Sequence, residues 1–300
     1  MPDEATRDDA GTPPVLVQMR AIYPELRPSE KRIADQFLLN PEEAAELSIA
    51  DLAHRCDTST TSVVRFCKRL GYDHVRELRN HVLRDAARQT FDTAALPDVS
   101  GDIDRDDTLA DIVAKVSLAE TLSLADTAKV LDTESLRRSV EAITGAARID
   151  IFGVGASAIV GLDLQRKLVR IGHTALEWSD PHAAWTSAAT LRPGNVAIAV
   201  SHSGSTTDTI EFLMLARRAG ATTIAITNHA GAPLADQADI VLTTAARETG
   251  FRSGALGSRI AQLMVVDCIF IGVAQSNYDA SMAALRNTYA AVHHARAGGA

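Results

Sequence analysis

The feature that most restricts the folding of this chain is a change of periodicity near its middle. Five short apolar stretches rich in β-branched residues, RIDIFGVG, TALEW, NVAIAVS, TTIAITN and DIVLTTA, follow one another after residue 147. Between them lie the amphipathic stretches ASAIVGLDLQRKLVRIG, PHAAWTSAATL and TTDTIEFLMLARRAG and the short PLADQA. Continuous apolar strands alternating with helices predict a parallel sheet covered on both faces. Two long helices, about 257–275 and 279–294, are expected to end the chain. The first 90 residues read differently, carrying only helical patterns. The fold class that follows is two domains: an all-α N-terminal domain and a three-layer α/β domain with a parallel five-stranded sheet.

Boundaries follow from the same reading. MPDEATRDDAGTPP is acidic and poor in apolar residues, the opposite of a secretory leader, and residues 1–14 are expected to be a disordered tail. Residues 15–90 form the helical domain. The stretch FDTAALPDVSGDIDRDD marks a linker over 91–108. Residues 109–296 form the α/β domain with flanking helices, two of which are expected at about 109–130 and 134–144. The most apolar stretch, Ile260 to Ala274, is interrupted by Gln262 and Asp267 and is short for a membrane span. Cys56, Cys67 and Cys268 show no metal-ligand spacing, and their odd number argues against a disulfide framework. These features imply a cytoplasmic protein with no membrane partner, no metal site and no cofactor.

Within the helical half, Ser29 is expected to cap SEKRIADQFLLN, placing Ile33, Phe37 and Leu38 on one face. Ser48 caps IADLAHRC, a short break at CDTST follows, and Gly71 closes TTSVVRFCKRLG. That is the length of a helix, a tight turn and a second helix. Leu52, Ala53, Val63, Phe66, Cys67 and Leu70 fit its inner face. Its solvent face would carry Ser59, Thr60, Thr61, Ser62, Arg65, Lys68 and Arg69, small hydroxyls at the helix start with cations a turn later, as suits a major groove. The net charge of −8 gives a nucleic-acid role no support by itself. Locally, however, Arg55, Arg65, Lys68, Arg69, Arg76, Arg79, Arg84 and Arg88 face only Asp57, Asp73, Glu77 and Asp85. The run from RIADQFLLN through SIADLA and S-x-x-S-VVRFCKRLG to ELR resembles the N-terminal helix-turn-helix of RpiR-type transcriptional regulators. Asp57 and Thr58 stand in the turn where that family usually has glycine and an apolar residue. Aspartate tolerates left-handed backbone at some cost, which predicts a slightly weaker motif.

Two loops in the α/β half stand out. The first is GVGAS, with Gly155, Ala156 and Ser157; the second is SHSGSTT, from Ser201 to Thr207, which sets five hydroxyls and a glycine between a strand and a helix. Gly153-x-Gly155-x-x-Ala158 also matches a dinucleotide fingerprint, with Glu177 near the position of a ribose-binding acid, but such a lone match is a weak signal. Helix N-terminal amides attract an anion, and hydroxyls complete its shell. A helix cap alone accounts for one or two hydroxyls, not five. GVGAS, SHSGSTTDT, AITN, PLADQADIVL and ETGFRSGALGSRIAQLMVVD together resemble the sugar isomerase (SIS) domain. The resemblance implies that Ser201, Ser203 and Thr206 bind a phosphate, assisted by Ser205, with His202 beside them. It also implies that Gly155, Ala156 and Ser157 contribute from the first loop and that Glu248 approaches the sugar ring.

SIS domains occur in isomerases as well as in regulators. A phosphosugar isomerase or lyase needs an acid and a base at the sugar, with Glu248, His182, His202 and Asp180 as candidates; Asp180 before Pro181 is more simply a helix cap. A DNA-binding domain is an odd attachment for such an enzyme. The expected function is therefore a non-enzymatic transcriptional regulator, a repressor rather than an activator, that senses a sugar phosphate and binds a palindromic double-stranded operator. It would act as a homodimer or tetramer, with the helices at about 109–130 and 257–275 building the subunit contact.

Overall fold

The structure, a computed structural model, describes residues 14–93, 104–247 and 255–297. The chain divides into two compact units, residues 1–97 and 98–300.

The first unit holds α1 (Val15–Ile22), α2 (Pro28–Leu39), α3 (Pro41–Glu46), α4 (Ile49–Arg55), α5 (Thr60–Arg69) and α6 (Val75–Thr93), with a 3-10 turn at Tyr23–Glu25. The tail expected over residues 1–14 lies outside the described residues except for Pro14, which caps α1. Helix α2 starts at Pro28 rather than after Ser29: proline suits the first helical position, and the Arg27 amide donates to Glu30 Oε2 at 2.9 Å. Stacked Phe37 and Phe66, with ring centroids 6.5 Å apart, centre the core. All six residues expected on the inner face of the α4–α5 pair are buried. Ser48 and Ser59 cap the two helices, accepting from the amides of Asp51 and Ser62. Burial pushes the Cys67 thiol up to about 11, which leaves it a packing residue.

The turn between α4 and α5 holds Asp57 at φ 46°, in the left-handed region. It is clamped from outside, because Arg32 on α2 donates from Nε to the Cys56 carbonyl at 2.7 Å and from Nη2 to the Asp57 carbonyl at 2.5 Å. A left-handed non-glycine residue costs about 1–2 kcal/mol. Asp57→Gly should therefore raise the stability of this unit by up to about 1 kcal/mol, read as a higher thermal midpoint. A lowered midpoint would mean that the aspartate side chain itself supports the turn.

The second unit begins with α7 (Leu109–Val130), capped by Thr108, and α8 (Thr133–Thr144). Of the expected linker, residues 94–103 lie outside the described residues, and α6 runs through Thr93. There follow β1 (Arg148–Gly153), α9 (Ala156–Arg170), β2 (Ala175–Trp178), α10 (Pro181–Ala188), β3 (Asn195–Val200), α11 (Thr207–Arg218), β4 (Thr222–Thr227) and β5 (Ile240–Thr243). Two long helices, α12 (Leu256–Ser276) and α13 (Tyr278–Ala297), close the unit. The sheet is parallel throughout, in the order β2-β1-β3-β4-β5.

Side chains alternate across the sheet with a clear difference in size. Ile149, Ile151, Val196, Ile198, Val200, Ile224 and Ile226 pack on one face with α8, α9 and α12. Ala197, Ala199 and Ala225 pack on the other with α10 and α11. On that second face Asp150 is fully buried and still satisfied, accepting from Arg148 Nε at 2.6 Å, from Trp178 Nε1 at 3.0 Å and from the Ser187 hydroxyl. Helix α12 is, at 21 residues, long and apolar enough to cross a bilayer by length and composition. Here its buried side, including Ala261, Val265, Val266 and Ile269, completes the core. The remainder of the helix is not covered by its own unit: Ile271 stands exposed on it. Exposed apolar side chains of the flanking helices include Leu109 and Val113 on α7, Ile271 on α12, and Tyr278, Tyr289 and Val292 on α13.

Candidate functional site

The strand order turns back at β1: the chain moves outward to β2 on one side, then crosses to β3 on the other. Helix α9, after β1, lies on one face, and α11, after β3, lies on the opposite face. Their N-termini diverge at the carboxyl ends of two neighbouring strands, the place where open α/β sheets bind ligands. Both loops singled out in the sequence flank this crevice. The order also differs from the six-stranded dinucleotide arrangement, in which the strands after β1 continue on one side. Glu177 lies on β2 and approaches the position of a Gly161 side chain, with burial raising its carboxyl above the ordinary range.

The second loop is built by backbone stitching. Ser201 N–H donates to the Ile226 carbonyl at 3.0 Å, extending the β3–β4 ladder by a residue. Asn228 N–H donates to the His202 carbonyl at 3.0 Å, and Leu234 N–H to the Gly204 carbonyl at 2.9 Å. Gly204 stands at φ 62°, and a Cβ there would come within 2.8 Å of Thr227 Oγ1 and overlap the Ala232 side chain. Only glycine fits both demands.

The hydroxyls then divide by role. Ser201 is buried, its Oγ accepting from Gly204 N–H at 3.2 Å and lying 3.2 Å from Thr206 Oγ1. Ser203 Oγ accepts from the Ser205 hydroxyl at 3.0 Å and from its amide at 3.3 Å. Thr206 is the N-cap residue of α11, yet its side chain makes no capping bond. The loop therefore does not use its hydroxyls as an ordinary helix cap does. Ser205 and Thr207 are exposed, and His202, Ser203 and Thr206 are half-buried. The His202 ring stands edge-on to His229 at 5.8 Å.

In the first loop Gly155 caps α9 at φ 62°. A Cβ on Gly153 would meet the Ser157 backbone at 2.8 Å, so the loop passes close under the helix. Ser157 is half-buried and donates toward Gln262 Oε1 at 3.4 Å. Ala156 opens α9 beside it. The structure thus brings Gly155, Ala156 and Ser157 to one side of the crevice and Ser201, His202, Ser203, Ser205 and Thr206 to the other. Glu248 lies outside the described residues. Asp180 caps α10, accepting from Ala183 N–H at 2.9 Å, and His182 is exposed and stacked on Trp185.

Sequence reasoning missed the residues that hold the strand ends in place. Asn228 Oδ1 accepts from Thr244 Oγ1 at 3.0 Å and from Ala246 N–H at 2.7 Å, tying the exit of β4 to that of β5. From α7, Thr127 Oγ1 accepts from Ala245 N–H at 3.1 Å, Ser123 Oγ accepts from Arg247 N–H at 3.0 Å, and Asp126 accepts from Arg247 Nε at 2.8 Å. A buried Asn in a loop between strands was the one visible signal.

On the other unit, Ser59, Thr60, Thr61, Arg65 and Lys68 are exposed and Ser62 is half-buried on one side of α5. Arg69 is engaged within the unit, donating from Nη2 to the Glu25 carbonyl at 3.0 Å and lying 3.5 Å from Glu30 Oε2. Among the described residues no group of His, Cys, Asp or Glu is placed to hold a metal ion.

A helix, a tight turn and a second helix in one unit are thus joined in one chain to a doubly wound parallel sheet with two loops at the reversal of its strand order. Comparison with known proteins fixes the family. The helix-turn-helix domain of the rpiR family matches residues 14–89, and the SIS domain matches residues 142–285. An HTH-type transcriptional regulator of Caldanaerobacter subterraneus subsp. tengcongensis is 38% identical over 274 residues, 91% of this chain and 95% of that protein. The HTH-type transcriptional regulator YbbH of Bacillus subtilis is 30% identical over 282 residues, 94% and 98% of the two chains. Among solved structures, Vibrio vulnificus NanR complexed with ManNAc-6P is 30% identical, with a TM-score of 0.58, covering 93% of this chain and 97% of that one. The chain belongs to the rpiR family of helix-turn-helix transcriptional regulators that carry a SIS domain.

Replacing Asn228 by Ala would leave the Ala246 amide and the Thr244 hydroxyl without their buried acceptor. Such a loss costs about 1–3 kcal/mol, so the midpoint of denaturant unfolding should fall accordingly. An unchanged midpoint would show that the two bonds do not hold the strand ends together.

Proposed function

We propose that this regulator is a repressor that binds a sugar phosphate in the crevice between β1 and β3. The observation that carries the reading is the second loop: five hydroxyls lie from the end of β3 through the first residue of α11, and Thr206, at the cap position, makes no capping bond. Ser201, Ser203 and Thr206, with Ser205, take the phosphate, using hydroxyls and the amides at the start of α11. Gly155, Ala156 and Ser157 face the sugar from α9, with His202 at the near edge and Glu248 completing the ring contacts. The complex of the V. vulnificus relative with ManNAc-6P supports this ligand class. Neighbours described as putative phosphosugar isomerases, at 17–19% identity, share the fold and support no reaction here.

The protein acts in the cytoplasm as a dimer or higher oligomer, placing two copies of α5 on a palindromic operator. The exposed faces of α7 and α12, together with those of α13, supply the subunit contact. Ser59, Thr60, Thr61, Ser62, Arg65 and Lys68 meet DNA, while Arg69 mainly braces the unit. Effector binding alters the relative pose of subunits, and the coupling is reciprocal: an effector that weakens operator binding is itself bound less tightly on the operator.

The test is a thermal-shift screen of the purified chain against hexose and amino-sugar phosphates beside the matched free sugars. Ligand that binds the folded state raises the midpoint by mass action. A shift that requires the phosphate and is lost in Ser203→Ala supports the reading; a shift from free sugars alone, or none at all, overturns it. Turnover of a sugar phosphate by the protein would favour an isomerase instead. For the DNA-binding unit, Arg65→Ala should weaken operator binding about tenfold while leaving the thermal shift intact. Unchanged operator affinity would remove Arg65 from the interface.

A further inference from the structure

Helix α12 presents a row of buried apolar side chains to the sheet, interrupted by Gln262. Gln262 is 1% exposed, in company with Ala261, Val265 and Val266. Its Oε1 receives the Ser157 hydroxyl at 3.4 Å, near the limit for a hydrogen bond, and its Nε2 has no partner. A buried amide left half unpaired destabilises the fold that holds it. Rotating the amide by a half turn does not help, because the oxygen is then the unpaired half. A residue placed only to fill the core here would be a leucine or methionine, of similar volume and without that cost.

The position of the unpaired group gives it a use. Ser157 is the second residue of α9, and α12 packs on the same face of the sheet as α9. The phosphate loop and α11 belong to the opposite side of the crevice. Neighbouring strands lie about 4.8 Å apart, so a ligand held at the start of α11 reaches Ser157 by spanning one strand step. What arrives there is the sugar and not the phosphate. We infer that Gln262 is a sugar-reading residue: its side-chain amide, aligned by Ser157, pairs with a hydroxyl or acyl oxygen on the carbohydrate part of the effector. The inference rests on the sugar-phosphate reading above and adds to it the residue that separates a sugar phosphate from phosphate alone. An amide suits this role because it both donates and accepts and carries no charge to compete with the phosphate.

The experiment compares wild type with Gln262→Met and Gln262→Glu, using ManNAc-6P, glucosamine 6-phosphate, fructose 6-phosphate and inorganic phosphate as probes in thermal shift and calorimetric titration. Gln262→Met should melt at or above the wild-type temperature without ligand, since it removes an unpaired buried group. It should also bind the sugar phosphate that wild type prefers about tenfold more weakly, with affinity for inorganic phosphate unchanged. Gln262→Glu should lose sugar-phosphate affinity at least as far. Equal sugar-phosphate binding by wild type and Gln262→Met overturns this inference and leaves the phosphate loop standing. If wild type responds to no sugar phosphate, both readings fall together. Failure of both variants to fold, or a lowered midpoint for Gln262→Met without ligand, means that the amide is used inside the fold, and that too overturns the inference.

Discussion

The hydrogen bond from Ser201 N–H to the Ile226 carbonyl carries the β3–β4 ladder one residue past the strand, and the ligand end of the sheet is arranged around it. It fixes the first residue of the hydroxyl loop as an extension of a central strand, the most rigid element available. The next bonds proceed sideways from that point: His202 to Asn228, Gly204 to Leu234, and Asn228 to Thr244 and Ala246. Side-chain hydroxyls of α7 then receive the backbone beyond β5. A loop built in this way is preorganised, which lowers the ordering cost of any ligand that enters it.

The parts legible in the sequence are those set by short-range physics. Alternation of β-branched runs with amphipathic stretches announces the parallel sheet, Ser48 and Asp180 announce their helix starts, and Asp57 announces the strained turn. Both loops of the crevice stand out because their composition exceeds what a turn needs. Less legible are the bonds made across long separations. Arg32 closes a turn 25 residues away, Ser157 meets a partner 105 residues away, and Ser123 receives an amide 124 residues away. A single serine, arginine or glutamine in a helix carries no mark of such a partner. The start of α2 was obscured by a local ambiguity, because Pro28 and Ser29 stand side by side and each is a residue that marks helix starts.

The helical unit shows how a basic surface is apportioned in an acidic chain. Arg32 and Arg69 lie at the surface, yet both are tied by hydrogen bonds to backbone carbonyls of their own unit. Arg65 and Lys68 remain exposed on the far side of α5 from Phe66 and Cys67. Position on the helix surface, and not residue type, separates bracing from display.

Gly204 has a consequence that reaches beyond one molecule. Every change at the first or second base of a glycine codon introduces a side chain or a stop, and at this residue both the φ of 62° and the nearness of Thr227 and Ala232 forbid one. The position is therefore closed to neutral drift. A lineage in which the crevice had lost its use would be free to vary Ser203 or Ser205 at little cost to folding, yet would still have to keep Gly204. Among descendants, variation at the exposed hydroxyls beside an unvarying glycine would date the loss of the ligand, whereas change at the glycine itself would record a rebuilt loop.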